Sequence, residues 1–313
     1  MSAPDEANAE ALYDTGPPQI EAADGGGWRA RVRGALSGAV LSALQRGARG
    51  YVGGERIEDA VAVAARLAET ATPTTLGYWP ASSHDARDVA EIYRAALGDV
   101  SQSGLDSYLS IKPPALRFDA DQAARLAQEA ARRQVRLHCD SHGCDVAAPS
   151  HAFAEALLQA LPPHLVGVTL PGRWARSLAD ADWANERGLV VRVVKGQWPD
   201  PEDAARDLSA GYLEVIGRLA GQARHVAVAT HDLTLAQKAA DVLRSADTPF
   251  ELEMILGMPI APLLQWAKKS SVPVRIYVPF GPGYVPNALG ILRRNPRLAW
   301  RVARGMLSGA AAP

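Results

Sequence analysis

Eight short apolar runs, rich in β-branched residues, recur between residues 74 and 278. They span 74–79, 107–112, 135–139, 166–170, 189–194, 224–229, 250–255 and 273–278. Short apolar strands that alternate with helices are typical of parallel strands buried on both faces. Eight such units are the number that closes a (β/α)8 barrel. We therefore predict an α/β fold, a TIM-type barrel with an N-terminal helical arm.

Helical stretches fill the intervals between these runs. They span 84–97, 119–133, 150–161, 177–187, 201–221, 233–244 and 260–269, and a last one begins near residue 286. Ser83 precedes 84–97, Asp119 precedes 120–133 and Ser150 precedes 151–161, and all three have the short polar side chains that favour helix N-termini. We therefore predict that these three residues are N-caps.

The chain ahead of the first run divides into two parts. Residues 1–27 hold six acidic residues and no lysine or arginine, which predicts a disordered acidic tail. Residues 28–70 have apolar residues at helical spacing and are predicted to form the helical arm. The basic residues of this arm leave two alternatives open, packing on the barrel or peripheral contact with a membrane. Residues 71–313 are predicted to be the barrel domain.

Composition excludes several classes of protein. The 33 Lys and Arg residues against 34 Asp and Glu residues give a net charge of −1, so a basic surface for nucleic acid is absent. Two cysteines cannot supply a disulfide framework for 313 residues. The sequence has neither an apolar run of about 18 residues nor a signal-peptide pattern, so we expect a cytoplasmic protein.

Polar residues collect where the predicted strands end, which is where barrels of this kind have their active sites. They are Lys112, Asp140, Arg192, Lys195, Gly196, Thr230, His231, Glu253 and Tyr277. A buried ammonium is costly unless it meets an opposite charge. The lysines therefore indicate an anionic ligand, either a phosphate-bearing cofactor or a carboxylate substrate. A Lys112–Asp140 pair that serves packing alone is the alternative.

A second cluster consists of His138, Cys139, His142, Cys144 and His151. Its spacing matches no zinc signature, and neighbouring residues of a strand point to opposite faces. We therefore expect no metal site. The sequence also lacks a P-loop and a Gly-rich fingerprint that opens a helix, so a Rossmann-type nucleotide site is not expected.

Several segments, in barrel order, resemble one enzyme family. They are RGYVGGERIEDAV, SYLSIKPPAL, VRVVKGQWPDPE, AVATHDL, FELEMILGM, VRIYVPFG and the pair Arg293-Arg294. Together they resemble the proline dehydrogenases, FAD enzymes built on a distorted (β/α)8 barrel, over residues 49–300. The resemblance implies oxidation of proline, or of a related modified or bulkier cyclic secondary amino acid, to the imine. The electrons would then pass to a quinone or another acceptor.

The resemblance also implies roles for individual residues. Those implied to contact FAD are Arg192, Lys195, Gly196, Trp198, Thr230 and His231. Those implied to surround the substrate are Lys112, Asp140, Tyr277, Arg293 and Arg294, the two arginines holding its carboxylate.

The sequence departs from the family at several of its sites. Pro171 stands where the family has Gln, Trp198 and Gly290 where it has Tyr, Ala204 and Ala205 where a phosphate-binding Lys is expected, and Asn295 after the arginine pair. These changes indicate a remodelled pocket with added space above the substrate ring. Two other functions stay open on the same barrel. One is a lyase that forms a Schiff base on Lys112 or Lys195, and the other is a non-catalytic, ligand-binding homologue.

Overall fold

The structure is a computed structural model that describes residues 53–258 and 260–284. Its eight parallel strands follow one another around a closed barrel in sequence order, and the last strand pairs with the first. They are β1 (Thr74–Tyr78), β2 (Ser107–Ile111), β3 (Leu137–Cys139), β4 (Val166–Pro171), β5 (Val190–Val194), β6 (Val226–Ala229), β7 (Phe250–Ile255) and β8 (Val274–Phe280). The predicted (β/α)8 TIM-type barrel is confirmed.

Helices connect the strands and cover the barrel. Those within the described residues are α1 (Ile57–Ala68), α2 (Ala86–Ser103), α3 (Ala120–Arg133), α4 (Ala147–Leu157), α5 (Ser177–Glu186), α6 (Leu208–Leu219), α7 (Leu233–Ser245) and α8 (Ala261–Lys269). The predicted acidic tail, most of the predicted arm and the last predicted helix lie outside the described residues. None of the helices that the structure describes has the length and apolar character of a membrane span.

One of the three predicted N-caps is confirmed and two are wrong. Asp119 caps α3 by accepting the N–H groups of the helix's second and third residues. Asp85, not Ser83, caps α2, because its carboxylate accepts two N–H groups of the first turn. Ser150 lies inside α4 and donates its hydroxyl to the carbonyl of Val146 at 2.7 Å, since the helix begins three residues earlier than predicted.

The barrel interior is polar, whereas the layer between strands and helices is apolar. Alternate strand residues point in opposite directions, so Leu76, Leu109 and Leu137 join the hydrophobic core. The inward positions hold charged and hydrogen-bonding side chains that include Arg192 and Glu253. The aliphatic layers that usually fill such barrels are thus replaced by an ionic network.

Two glycines make room inside the barrel for large side chains. A Cβ on Gly77 would lie 1.9 Å from the hydroxyl oxygen of Tyr277. A Cβ on Gly167 would lie 2.0 Å from Nδ1 of the fully buried His138. Both positions therefore exclude any other residue unless the interior rearranges.

Substitution of Gly167 by alanine is expected to lower the free energy of unfolding by about 1–3 kcal/mol, the usual cost of overpacking. Gly217 provides the matched control, because a Cβ there meets nothing within 4 Å and the residue lies inside α6. Gly217→Ala should stabilise the protein by up to about 1 kcal/mol. Urea denaturation measures both changes, and equal stability of the two variants would contradict the steric argument.

Candidate active site

Four charged side chains meet inside the barrel near the carboxyl ends of its strands. Lys112 Nζ lies 3.1 Å from Asp140 Oδ2, and Arg192 Nη1 lies 2.8 Å from Asp140 Oδ1. Arg192 also donates through Nε and Nη2 to both carboxylate oxygens of Glu253, at 2.7 and 2.9 Å. Two cations thus balance two carboxylates. Because buried charges are stable only when paired, this network behaves as one unit.

Asp140 is the centre of the network. It accepts hydrogen bonds from Lys112 and Arg192, from the hydroxyl of Ser110 at 2.5 Å and from the hydroxyl of Tyr277 at 3.0 Å. Burial raises the pKa of Asp140, but Lys112 and Arg192 outweigh it and hold the pKa well below its usual range. Asp140 is therefore a fixed negative charge at neutral pH and cannot act as a base.

Tyr277 and Lys112 are the two hydrogen-bond partners of Asp140 with the largest exposed fractions, 8% and 7%. Burial raises the pKa of Tyr277 well above its usual value, so its phenol stays protonated and donates to Asp140. Burial lowers the pKa of Lys112, and the Asp140 carboxylate offsets part of this effect. The structure therefore brings together three of the predicted substrate residues.

All five N–H bonds of Arg192 have acceptors within the protein. Besides its two carboxylates, Nη1 lies 3.2 Å from the Ser110 hydroxyl and Nη2 lies 3.3 Å from that of Tyr108. The predicted contact between Arg192 and a cofactor stays a prediction, and it requires one of these acceptors to be exchanged. The sequence noted Glu253 at a strand end but missed its pairing with Arg192.

The other predicted cofactor residues lie at the rim of β5 and β6. Lys195 Nζ is 3.1 Å from Asp232 Oδ2, and both side chains are substantially exposed to solvent. Gly196 has a φ of +96°, a left-handed conformation that glycine adopts at little cost. Thr230 accepts the N–H of Asp232 through its hydroxyl at 3.2 Å. An ammonium and an irregular backbone segment thus adjoin each other at this rim.

His231 and Trp198 complete this part of the rim. His231 Nε2 accepts the N–H of Ile255 at 3.1 Å, so that nitrogen carries no proton in this arrangement. Trp198 stacks on His142 with ring centroids 5.9 Å apart. Burial lowers the pKa of His142 to about 4, so its ring is neutral at pH 7.

The rim fits a flavin dinucleotide in the chemistry of its donors and apolar surfaces. Arg173 Nε is buried without an acceptor among the described residues, and Lys195 lies on the neighbouring strand end, so two cations can meet phosphates. Ile255 is 40% exposed at the end of β7, which provides apolar surface for a ring system.

Trp79 is a mouth residue that the sequence did not indicate. Its indole ring lies over the ammonium of Lys112, with Nζ 4.4 Å from the ring centroid. The signal available in the sequence was a tryptophan at the end of a predicted strand. Arg293 and Arg294, by contrast, lie outside the described residues, as do Gly290 and Asn295.

The histidine and cysteine cluster does not converge on one point. His138 Nε2 lies 3.0 Å from the Thr169 hydroxyl, His142 stacks on Trp198, and His151 stacks on Trp183. Within residues 53–258 and 260–284, no three His, Cys, Asp or Glu side chains are arranged to hold a metal ion.

Fold and site together define a (β/α)8 barrel with a compact ionic site at the carboxyl ends of its strands. No family model matches the chain. Proline dehydrogenase 1 of Bacillus subtilis subsp. natto is 26% identical over 278 residues, which cover 83% of this chain and 91% of that protein. Its counterpart in Bacillus subtilis strain 168 is 25% identical over the same length.

Solved structures show the same fold. Proline utilization A (PutA) from Bdellovibrio bacteriovorus, inactivated by N-propargylglycine, superposes with a TM-score of 0.70 at 17% identity over 84% of this chain. A PutA from Bradyrhizobium japonicum gives 0.63 at 20% identity over 85%. In both comparisons the match covers only 34% of the PutA chain. The chain is therefore similar to proline dehydrogenases over most of its length, as the resemblance predicted.

Proposed function

We propose that this protein catalyses the flavin-dependent oxidation of proline, or of a modified or bulkier cyclic secondary amino acid, to the imine. The observation that carries the proposal is the Lys112–Asp140–Tyr277 cluster at the barrel mouth, in a chain whose curated relatives are named proline dehydrogenases. Bound FAD would supply acceptance of a hydride equivalent and later release of electrons to a quinone or another acceptor.

The substrate residues bind and orient the amino acid. The Lys112 ammonium attracts the carboxylate from one side, and we assign Arg293 and Arg294 to the other side, where guanidinium forks match carboxylate geometry. Asp140 holds Lys112 at 3.1 Å and fixes Tyr277 through its hydroxyl. The tyrosine ring then forms a fixed wall of the pocket.

The rim residues hold the cofactor in this proposal. Lys195 binds phosphate, and the backbone at Gly196 allows close approach of the ligand. Trp198, Thr230 and His231 line the same rim, and Arg192 acts on the cofactor through the buried network. Because Arg192 is already paired with two carboxylates, its contribution is to hold the network in place.

Anaerobic reduction of the flavin tests the proposal. The protein is purified, reconstituted with FAD and mixed with proline, ring-substituted prolines and six-membered ring amino acids. Bleaching of the flavin absorbance band by at least one of them is expected, with a substituted ring faster than proline because of the added space that Gly290 implies. Pyrrolidine-type amines without a carboxylate are the control and should reduce the flavin far more slowly.

Two outcomes would contradict this assignment. Flavin that binds but stays oxidised with every cyclic amino acid would identify a ligand-binding homologue without catalysis. Equal reduction by the decarboxylated amines would remove the carboxylate recognition assigned to Lys112, Arg293 and Arg294.

One observation favours the Schiff-base lyase as a second candidate. Burial lowers the pKa of Lys112, which is what a nucleophilic amine needs. The ion pair with Asp140 works against this function, because it stabilises the protonated, non-nucleophilic form. Oxidation is therefore the better-supported function.

A further inference from the structure

Trp79 occupies a defined place beside Lys112. Gly77 of β1 is in register with Ser110 of β2, so continuing the two parallel strands by two residues sets Trp79 opposite Lys112. The backbone N–H of Trp79 donates to the carbonyl of Phe280 at 2.8 Å, which ties it to β8 as well. The backbone of Trp79 is therefore tied to β8 and lies opposite Lys112.

The ring of Trp79 stabilises the charge on Lys112. Nζ lies 4.4 Å from the ring centroid, within the range of a cation–π interaction, and Lys112 is buried, where such a contact is strongest. The Asp140 carboxylate does not serve Lys112 alone, because Ser110, Arg192 and Tyr277 also donate hydrogen bonds to its two oxygens. The indole face thus gives the ammonium a second source of negative potential.

The other charged and titratable groups around Lys112 do not replace this contact. The Arg192 guanidinium lowers the pKa of Lys112 by repulsion, whereas Asp140 raises it. His142 is neutral at pH 7, since burial lowers its pKa to about 4. The Tyr93 hydroxyl accepts the backbone N–H of Lys112 at 2.9 Å and stays protonated, because burial raises its pKa. The Tyr277 hydroxyl and the Lys112 ammonium both donate to Oδ2 of Asp140, and the phenol is protonated as well.

The indole N–H of Trp79 is an unsatisfied donor within the part of the chain that the structure describes. Its Nε1 is buried and has no hydrogen-bond partner among the described residues. A buried donor without an acceptor is costly. Tyr284 packs edge-on against the indole, with ring centroids 5.6 Å apart, and fixes its orientation. An acceptor supplied by the substrate would satisfy this donor next to the Lys112 ammonium.

We propose that Trp79 is a substrate-binding and positioning residue, whose indole N–H donates to the substrate carboxylate and whose ring face holds Lys112 in its ammonium form. The proposal rests on the proposed function, because it names a further residue of the same site. It assigns carboxylate recognition to the ends of β1 and β2 together.

Two variants separate the two roles of Trp79. Trp79→Phe keeps an aromatic face and loses the N–H, whereas Trp79→Leu loses both. The probe is cyclopentanecarboxylate, which has a ring and a carboxylate but no oxidisable amine, and its binding to the FAD-reconstituted protein is measured by calorimetry from pH 6 to pH 10. Cyclopentanecarboxamide is the neutral reference ligand. Trp183→Phe is the control variant, because Trp183 stacks on His151 in the helical layer.

Trp79→Phe is expected to weaken carboxylate binding about tenfold at every pH, the loss of one charge-assisted hydrogen bond. Trp79→Leu is expected to weaken it about a hundredfold and to move the loss of binding at high pH about one unit lower, because Lys112 then deprotonates more easily. Carboxamide binding should weaken much less, by no more than about a fewfold, because its carbonyl oxygen accepts only a neutral hydrogen bond and carries no charge for Lys112 to attract. Trp183→Phe should bind like the wild type.

Other outcomes overturn the proposal. Unchanged carboxylate binding in Trp79→Leu, or an equal loss for carboxylate and carboxamide, would show that Trp79 does not act on the carboxylate. Trp79→Phe with the wild-type affinity would remove the N–H donor. A wild-type protein that binds the carboxylate through Trp79 but is never reduced by cyclic amino acids would overturn the proposed function and leave this assignment standing.

Discussion

Replacement of Glu253 by leucine is expected to lower the free energy of unfolding by about 3–5 kcal/mol, the cost of breaking a buried ion pair from one side. Glu253 is 2% exposed and accepts two hydrogen bonds from Arg192. Without the carboxylate, a fully buried guanidinium has only Asp140 as an ionic partner. Urea denaturation followed by circular dichroism measures the loss.

The surface pair Asp182–Arg218 is the matched control. Its two hydrogen bonds are both 2.6 Å long and form a bidentate pair like that of Arg192 with Glu253. Both side chains, however, are substantially exposed. Asp182→Leu should leave the stability close to that of the wild type, because exposed ion pairs contribute little. A Glu253→Leu variant as stable as Asp182→Leu would show that the interior network contributes no more than a surface bridge.

Substitution of Arg192 by lysine is expected to slow anaerobic flavin reduction by about a hundredfold, the scale on which positioned electrostatic groups act in enzymes. Lysine keeps the positive charge but lacks the planar guanidinium with its five N–H donors, so it cannot hold Asp140 and Glu253 at the same time. Asp140 would then lose one of its four donors, and Lys112 would lose its fixed partner geometry. Stopped-flow absorbance measures the rate, and Arg192→Ala is expected to lose bound flavin as well.

Arg275→Lys separates this effect from a general loss of stability. Arg275 is an equally buried arginine of the interior, paired with Glu251 at 2.9 Å near the amino-terminal ends of the strands. Its replacement by lysine should destabilise the fold and leave the rate of flavin reduction within about threefold of the wild type. Arg275 hydrogen-bonds to Glu251, Thr74 and Asp106. It contacts the Arg192 network through the ring of Tyr108 rather than through an ion pair. An equal slowing in both variants would contradict the role given to Arg192.

The barrel could be predicted from the sequence because its strands are apolar, short and regularly spaced, which few other folds require. The helix boundaries were harder to predict from the sequence. The stretch 201–221 is helical only from Leu208, where Asp207 caps the helix by accepting two N–H groups. The predicted start at 150 is wrong because alanines before Ser150 extend α4 backwards without a polar cap. Periodicity reports a buried face, whereas caps decide where a helix begins.

The site was predictable only where neighbouring strands supply it. Lys112 and Asp140 end the adjacent strands β2 and β3, so the rule about strand ends brings them together. Arg192 and Glu253 belong to β5 and β7, with β6 between them, and they meet only because long side chains reach across the small alanines of β6. That contact depends on side-chain length and direction, which a linear pattern does not contain.

The packing of the Tyr277 ring over Gly77 affects the register in which the last strand of the barrel pairs with the first. β8 completes the barrel by pairing with β1, the strand formed from the start of the repeat. Gly77 is the one residue of β1 without a side chain, and the tyrosine ring lies over it. A slip of β8 by two residues would keep its inward face but bring the ring against Thr75 or Trp79. One glycine and one tyrosine, separated by two hundred positions in the chain, therefore favour the register that the structure shows over a slip by two residues.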